Sequence, residues 1–451
     1  MEKPITDDEA ISYFKEILKF ETVSDLGPDN GSYDACADWL LKLCKVCNIE
    51  AFILPDSKPN KPIVVAEWLG SDPTLPCVFL NSHYDVVPVV ESSWTEKPFS
   101  AEEKQGRIYG RGAQDMKCVC VQYLVALQRL RLSMKEGPHL RTVRLAWVPD
   151  EEIGGTDGMG ILLGSAWFKS ATVGIALDEG LASVGNNYSV FYGERLPWWI
   201  KVTANGNTGH ASRFIEGTAV EQIMAVATKA LNFRLQQYEL LHGCGDQSNS
   251  SSSTSHHDHN CSHSVAAKKR STLGDVTTLN ITRLHTGGGE VEAYNVVPAV
   301  CEMALDIRIS PLVPPDEMRA ALQQWCEEAE AAVTGLPAAG GVTWEYHVNK
   351  GQQHAVTSTS PAENPWWEIF TTCLKQQCGA ECDDMIFPAA TDSRFLRALG
   401  IKAIGFSPMR NSPILLHEHD EYLDMAVFVE GCNVYEKLLT VLLSQERLSC
   451  D

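Results

Sequence analysis

The apolar runs PIVVAEW, CVFLNSH, VRLAWVP and VGIALDE recur up to about residue 195, with helical stretches such as CVCVQYLVALQRLRL between them. That alternation predicts an α/β fold: a mostly parallel sheet flanked by helices. From about residue 196 to 350 the rhythm changes to strand WWIKVTAN, helix TAVEQIMAVATKALNFRLQQ, strands VTTLNITRL and AVCEMALDIRI, helix DEMRAALQQWCEEAEAA and strand VTWEYHV. This β-α-β-β-α-β order predicts a self-contained, ferredoxin-like α+β lid. After about residue 351 the first rhythm resumes with NPWWEIFTTCLKQQ, KAIGFSP and a closing helix through VFVEGCNVYEKLLTVLL. The expected division is 1–195 and 351–451 for one domain and 196–350 for an insert. Within the insert, the tract about 243–272 is too polar to pack and is expected to be a disordered loop.

At 451 residues and 44% hydrophobic, the chain can bury cores for two domains. Its net charge of −21 repels phosphate backbones and anionic lipid, so neither a nucleic-acid nor a membrane partner is expected. The stretch MEKPITDDEAISYFKEILKF lacks the apolar centre of a secretion signal and reads as an amphipathic helix capped by Thr6 and Glu9. No apolar stretch is long enough to span a bilayer. The 15 cysteines are odd in number, scattered and mostly inside apolar segments, as expected of free thiols in a reducing, cytoplasmic compartment. Cys44 and Cys47 form a CxxC, but they lie in the helical pattern ACADWLLKLCKVC with no second pair nearby and read as core.

The ends of the apolar runs carry the chemistry. CVFLNS runs into His83, TVRLAWVP into Asp150, Glu151 and Glu152, and VGIAL into Asp178 and Glu179. Open α/β sheets place their functional crevice at the carboxyl ends of strands. Asp115 opens a helix after GRGAQD, and His417 follows the last strand in SPILLHEHDEYL. Taken singly, Asp115 suits a helix N-cap, Glu151 and Glu152 a solvated loop, and His83 a core position. Gathered at one sheet edge without a cation, the carboxylates would disfavour one another's ionisation. A divalent metal removes that conflict. Histidine with carboxylate is zinc-type ligation, and two zinc ions about 3.5–4 Å apart sharing one carboxylate are suited to hydrolysis. Asp85, two residues beyond His83, is placed to hold the other ring nitrogen. Of the pair Glu151 and Glu152, one can bind metal while its neighbour takes a proton from the attacking water.

The motifs NSHYDVVP, RGAQDMK, VPDEEIGG, ALDEG, ERLPWW, GHASRF, AYNVVPA, PAATDSRF and GFSPM with LLHEHDE occur in that order. Together they resemble the co-catalytic zinc family of aminoacylases, carboxypeptidases and dipeptidases, over about residues 10 to 440. The resemblance implies two Zn²⁺ per subunit, one on His83 and Glu179, the other on Glu152 and His417, with Asp115 bridging. It implies Glu151 as general base and Asp85 as the acid behind His83. Asp178 is a lesser candidate beside Glu179, because many members of the family carry Asp at the ligand position. His210 of GHASRF is implied as the oxyanion donor. Asn295 and Arg308 on the lid, with Thr391 and Arg394 of ATDSRF opposite, are implied as a clamp for a substrate carboxylate. Read without the resemblance, His210 is a turn residue and Arg308 a solvated strand end.

The implied activity is zinc-dependent hydrolysis of N-acyl-L-amino acids to a carboxylate and a free amino acid. Dipeptidase or carboxypeptidase cleavage at the same centre is the alternative. The implied partner, besides the small-molecule substrate, is a second copy of the chain in a homodimer formed through the lid. A catalytically dead scaffold would lack Glu151 or a ligand, and none is lacking. His256, His257, His259 and His263, with Cys244 and Cys261, have spacing that fits no closed metal site, which leaves a metal-storage loop as a minor reading.

Overall fold

Burial dictates how the strands are used. In the computed structural model, which describes residues 3–133, 139–243, 271–286, 293–332, 341–348 and 353–451, eight strands form the main sheet. They are β1 (Glu50–Ile53), β2 (Val64–Trp68), β3 (Cys77–His83), β4 (Val143–Val148), β5 (Val173–Asp178), β6 (Tyr188–Glu194), β7 (Cys382–Phe387) and β8 (Ala403–Gly405). Across the sheet the order is β1-β2-β4-β3-β5-β8-β6-β7. β3 runs parallel to β4 and β5, and β8 parallel to β5. β1 on β2, β2 on β4 and β6 on β8 are antiparallel. The fold class is the expected one, in the form of a mixed sheet whose parallel strands lie at its centre.

That centre is apolar on both faces. Val78 and Leu80 of β3, with Leu145 and Trp147 of β4, pack beneath helices Lys117–Ser133 and Met425–Leu443. Phe79 of β3, with Ala146 of β4, faces the opposite side, where Met159, Phe168 and Leu396 cover it. Strands covered on two faces require continuous apolar runs, and those runs are the ones visible in the sequence. β1 and β7 are partly exposed, and EAFI and CDDMIF carry no such run.

The chain divides into two compact units, one of Met1–Gly193, Ala355–Phe387 and Thr391–Asp451, the other of Glu194–His354 with Pro388–Ala390. In the second, Leu196–Asn205, Thr278–Thr286, Val300–Ile309 and Val342–Val348 form an antiparallel sheet. Helices Ala219–His242 and Pro315–Ala332 cover it through Ile223, Val226, Met318 and Leu322. The connectivity is the expected β-α-β-β-α-β. Val300–Ile309 alternates between buried and half-exposed positions, as a sheet covered on one face requires.

Local signals also hold. Thr6 and Glu9 form a capping box at the start of helix Asp7–Ile17, and Thr218 and Glu221 form another at Ala219–His242. Cys44 and Cys47 are buried in the core of the first unit and are not joined in a disulfide. The polar tract, with His256, His257, His259, His263, Cys244 and Cys261, lies outside the described residues. Among the described residues no helix is long and apolar enough to cross a membrane.

Candidate metal centre

β3, β4 and β5 are adjacent, and their carboxyl ends supply most of the site. β3 delivers His83 at its last position, a 3₁₀ turn after β4 delivers Glu151 and Glu152, and Glu179 follows β5. Asp115 comes from the loop before helix Lys117–Ser133, and His417 from the loop between β8 and the short strand Tyr422–Asp424.

These side chains form two sets that share one member. Ligand-type atoms of His83, Asp115 and Glu179 lie within 4.8 Å of one another, as do those of Asp115, Glu152 and His417. Asp115 Oδ1 is 3.1 Å from His83 Nε2, and its Oδ2 is 3.3 Å from His417 Nε2. Glu179 Oε2 stands 3.7 Å from His83 Nε2, and Glu152 Oε2 3.1 Å from His417 Nε2. One imidazole nitrogen and two carboxylate oxygens per set, with one carboxylate common, is a donor set that fits a pair of zinc ions.

The supporting contacts sort the remaining acids. Asp85 lies 3.4 Å from His83 Nδ1 and accepts hydrogen bonds from Ser24 Oγ at 2.9 Å and from the backbone N–H groups of Glu151 and Glu152 at 3.2 Å each. His83 Nδ1 is also 3.0 Å from the backbone carbonyl of Asp85, so this one buried residue steadies both the imidazole and the Glu151–Glu152 turn. Glu151 belongs to neither set; its Oε1 is 3.5 Å from Arg394 Nη1. Asp178 accepts from Asn81 Nδ2 at 3.0 Å and Ser393 Oγ at 2.8 Å, which occupies both its oxygens, while Glu179 faces His83. Asp150 pairs with Lys61 and accepts from Tyr33.

On their own, the side chains of this cluster conflict electrostatically. Burial, reinforced by the charge on Asp115, pushes Glu152 up to about 7 and holds Glu179 well above the usual carboxylate range. Burial likewise raises Glu151. Asp115 is held well below that range because its bonds to His417 and His83 outweigh its burial. Hydrogen bonds to Asp115 and Glu152 push His417 up to about 10. His83 is raised despite its burial by Asp115, Asp85 and Glu179. Raised carboxylates beside raised imidazoles mark a conflict that the charge of divalent cations would resolve.

The other candidates divide between the units. Arg394 reaches Glu151, and Thr391 is buried beside it, where its hydroxyl accepts the N–H of Ser393 at 3.2 Å. His210, Asn295 and Arg308 belong to the second unit. His210 and Asn295 are exposed, and Arg308 binds Asp306 through Nε at 2.7 Å and Nη2 at 3.0 Å. Among residues that the sequence did not single out are Asn81 and Ser393, which hold Asp178, and Arg111, Gln114 and Glu421, which lace the loop bearing Asp115 to the one bearing His417. In sequence, the charges at Arg111 and Glu421 have no apolar periodicity around them and look like solvated loop residues.

The description Peptidase family M20/M25/M40 matches residues 79–441. The chain belongs to this peptidase family. Among similar proteins, Aminoacylase-1 of Dictyostelium discoideum is 40% identical over 98% of this chain and 99% of its own length. Aminoacylase-1 of Homo sapiens is 38% identical over 99% of this chain and 98% of its own. Among solved structures, an M20 family metallo-carboxypeptidase from Sulfolobus solfataricus superposes with a TM-score of 0.67 at 17% identity, covering 97% of this chain and 99% of that one. Human carnosine dipeptidase 1 gives 0.65 at 14% identity, with 97% of each chain covered. At such identities these two share the fold.

Proposed function

We propose that the chain is an aminoacylase, hydrolysing N-acyl-L-amino acids to a carboxylate and a free L-amino acid. It is an amidohydrolase, and zinc is its cofactor. The observation that carries this reading is the meeting of two zinc-type ligand sets at Asp115, with the uncoordinated carboxylate Glu151 alongside. Relatives near 40% identity that carry the aminoacylase name support the substrate class over a dipeptide.

His83, Asp115 and Glu179 would hold one ion, and Asp115, Glu152 and His417 the other. Bound there, zinc supplies a Lewis acid for the amide carbonyl and makes water a stronger acid near neutral pH. Glu151 takes the proton of the attacking water on its carboxylate and gives it to the nitrogen of the leaving amine. Its buried setting, which raises its proton affinity, suits it to that shuttle. Asp85 keeps His83 and the Glu151 turn in place. Arg394, with Thr391 beneath it, offers a cation for the substrate carboxylate next to the base. Ser212 N–H donates to His210 Nδ1 at 3.2 Å, which makes Nδ1 the acceptor and leaves Nε2–H to donate to a developing oxyanion. Asn295 completes the lid's contribution. Arg308, committed to Asp306 through two nitrogens, acts in that clamp only through an exchange of partners.

The second unit is a lid that pairs two chains into a C₂ homodimer, so that His210 of one chain serves the zinc centre of the other. Acidic composition and buried free thiols favour a cytoplasmic setting. The substrate reading is tested by giving the zinc-loaded protein an N-acetyl-L-amino acid and a dipeptide with the same C-terminal residue. The acetylated substrate is expected to show the higher kcat/KM, and preference for the dipeptide would overturn the reading. The dimer reading is tested by mixing Glu151→Ala and His210→Ala chains under subunit exchange. Activity should return in the heterodimer; heterodimers without activity would place His210 outside the partner's site.

A further inference from the structure

His83 and Glu179 are positioned by the sheet itself. His83 pairs with Val148 across β3 and β4, and Glu179 follows β5, whose last carbonyl, that of Asp178, accepts the N–H of Phe406 at 2.9 Å. His417 has no such support. It lies in a loop, its side chain is 48% exposed, and its backbone sits in the left-handed region at φ +62, which is uncommon for a residue other than glycine. Something other than secondary structure must hold it where Asp115 and Glu152 can meet it.

Glu421 does so from four residues further on. This fully buried carboxylate accepts the N–H of Gln114 at 2.7 Å and of Asp115 at 3.3 Å on Oε1, and the N–H of Gly112 at 3.0 Å on Oε2. Arg111 Nη1 donates to Oε2 at 2.8 Å, and Arg111 Nη2 donates to the carbonyl of His417 at 3.3 Å. Gln114 ties the same two segments a second time. Its amide nitrogen donates to the carbonyls of Pro413 at 3.1 Å and Tyr422 at 2.9 Å, and its oxygen accepts the N–H of Leu415 at 3.1 Å. Gly112 has φ +83, and a Cβ there would meet Val86 Cγ1 at 2.8 Å, so the close approach requires glycine.

A buried ion pair is weak evidence for stability, because well-packed apolar residues often do as well. What an apolar replacement could not do is fix two loops by eight directed hydrogen bonds. Resting on the two-metal reading above, we infer that Glu421, with Arg111 and Gln114, is a positioning device that sets the distance between Asp115 and His417 and so governs affinity at the second ion more than at the first.

The test is metal binding rather than turnover. Zinc and Co²⁺ are titrated into metal-free wild type, Glu421→Gln and Gln114→Ala, with bound metal counted by elemental analysis and Co²⁺ ligation followed by its visible absorption. Gln114→Ala removes three hydrogen bonds without leaving a buried charge unpaired, so it carries the test should Glu421→Gln not fold. Arg144→Met, which breaks a half-buried ion pair with Glu67 elsewhere on the sheet, is the control for lost stability. The expected result is that the second ion binds about 10–100-fold more weakly and the first is weakened much less, with the larger change in the Co²⁺ spectrum belonging to the second ion. Arg144→Met should lower the melting temperature and leave both affinities unchanged. Unchanged affinity for both ions in Glu421→Gln and Gln114→Ala, or equal weakening of both, would overturn the inference. If wild type itself takes up only one ion, the two-metal reading is what fails.

Discussion

The two ligand sets share Asp115 and the same chemistry, yet they are built differently. His83 and Glu179 stand on the ends of adjacent, fully paired strands and are buried, whereas Glu152 sits on a turn and His417 on a loop with a half-exposed ring. In the first set the fold places the ligands. In the second, side-chain hydrogen bonds do, and a set held by side chains can be loosened without disturbing the sheet. The difference teaches that equal ligand types do not make equal sites, since pre-organisation sets how much ordering each ion must impose when it binds.

The widest effect should come from the residue the sets have in common. Asp115→Ala is expected to lose both ions and to abolish turnover, as chelation of the wild type should. Retention of one tightly bound ion would show that the sets are independent. Next in size is Glu151→Gln, expected to keep both ions and lose about 10²–10⁴-fold in kcat. A missing ion in that variant would mean that Glu151 and Glu152 have exchanged roles. His417→Ala sharpens the comparison more directly: its metal content should fall by half, with the ion on His83 and Glu179 retained.

A subtler expectation concerns pH. In the metal-free protein Glu152 is pushed up to about 7 and His417 up to about 10, so the folded state holds protons that the unfolded chain has released. Stability from such groups is present below the unfolded pKa and lost as pH rises through the folded one. The windows are 4.5 to about 7 for Glu152 and 6.5 to about 10 for His417. Asp115 has the opposite sign, but its contribution is lost only below its ordinary value of 3.8. Metal-free protein should therefore melt several degrees lower at about pH 8 than at about pH 5.5, and zinc should abolish or reverse the trend by replacing those protons. Calorimetry that finds the metal-free melting temperature rising across this window would contradict the account. The smallest effect is expected from Asp178→Asn, which should cost about 1–3 kcal/mol through Asn81 and Ser393 and leave both ions bound. Loss of an ion there, with none lost in Glu179→Gln, would move the ligand role to Asp178.

Legibility in the sequence follows the same division. His83, Glu151, Glu152 and Glu179 were readable because they punctuate apolar runs, and those runs are apolar because the central strands are covered on both faces. β1 and β7 left no comparable trace, since partly exposed strands need no continuous run. Asp115 and His417 lie in loops, where neither period nor composition marks a ligand, and family resemblance was needed to assign their roles. Glu421 and Arg111 were invisible because a charged loop residue reads as solvated until its partners are placed around it. Asp178 and Glu179 could be told apart only by direction, which neighbouring positions in a sequence do not state.

The position of β8 bears on how the protein is made. β5 and β6 are close in sequence, but in the sheet they are separated by Ala403–Gly405, which arrives after the whole second unit and β7. During translation the sheet therefore has an open slot, with unpaired backbone on both sides, until the ribosome has released that short strand. His417 emerges later still. A nascent chain can assemble His83, Asp115 and Glu179 long before it can assemble the other set, and a chain truncated before residue 403 would present two bare strand edges to its neighbours and to chaperones.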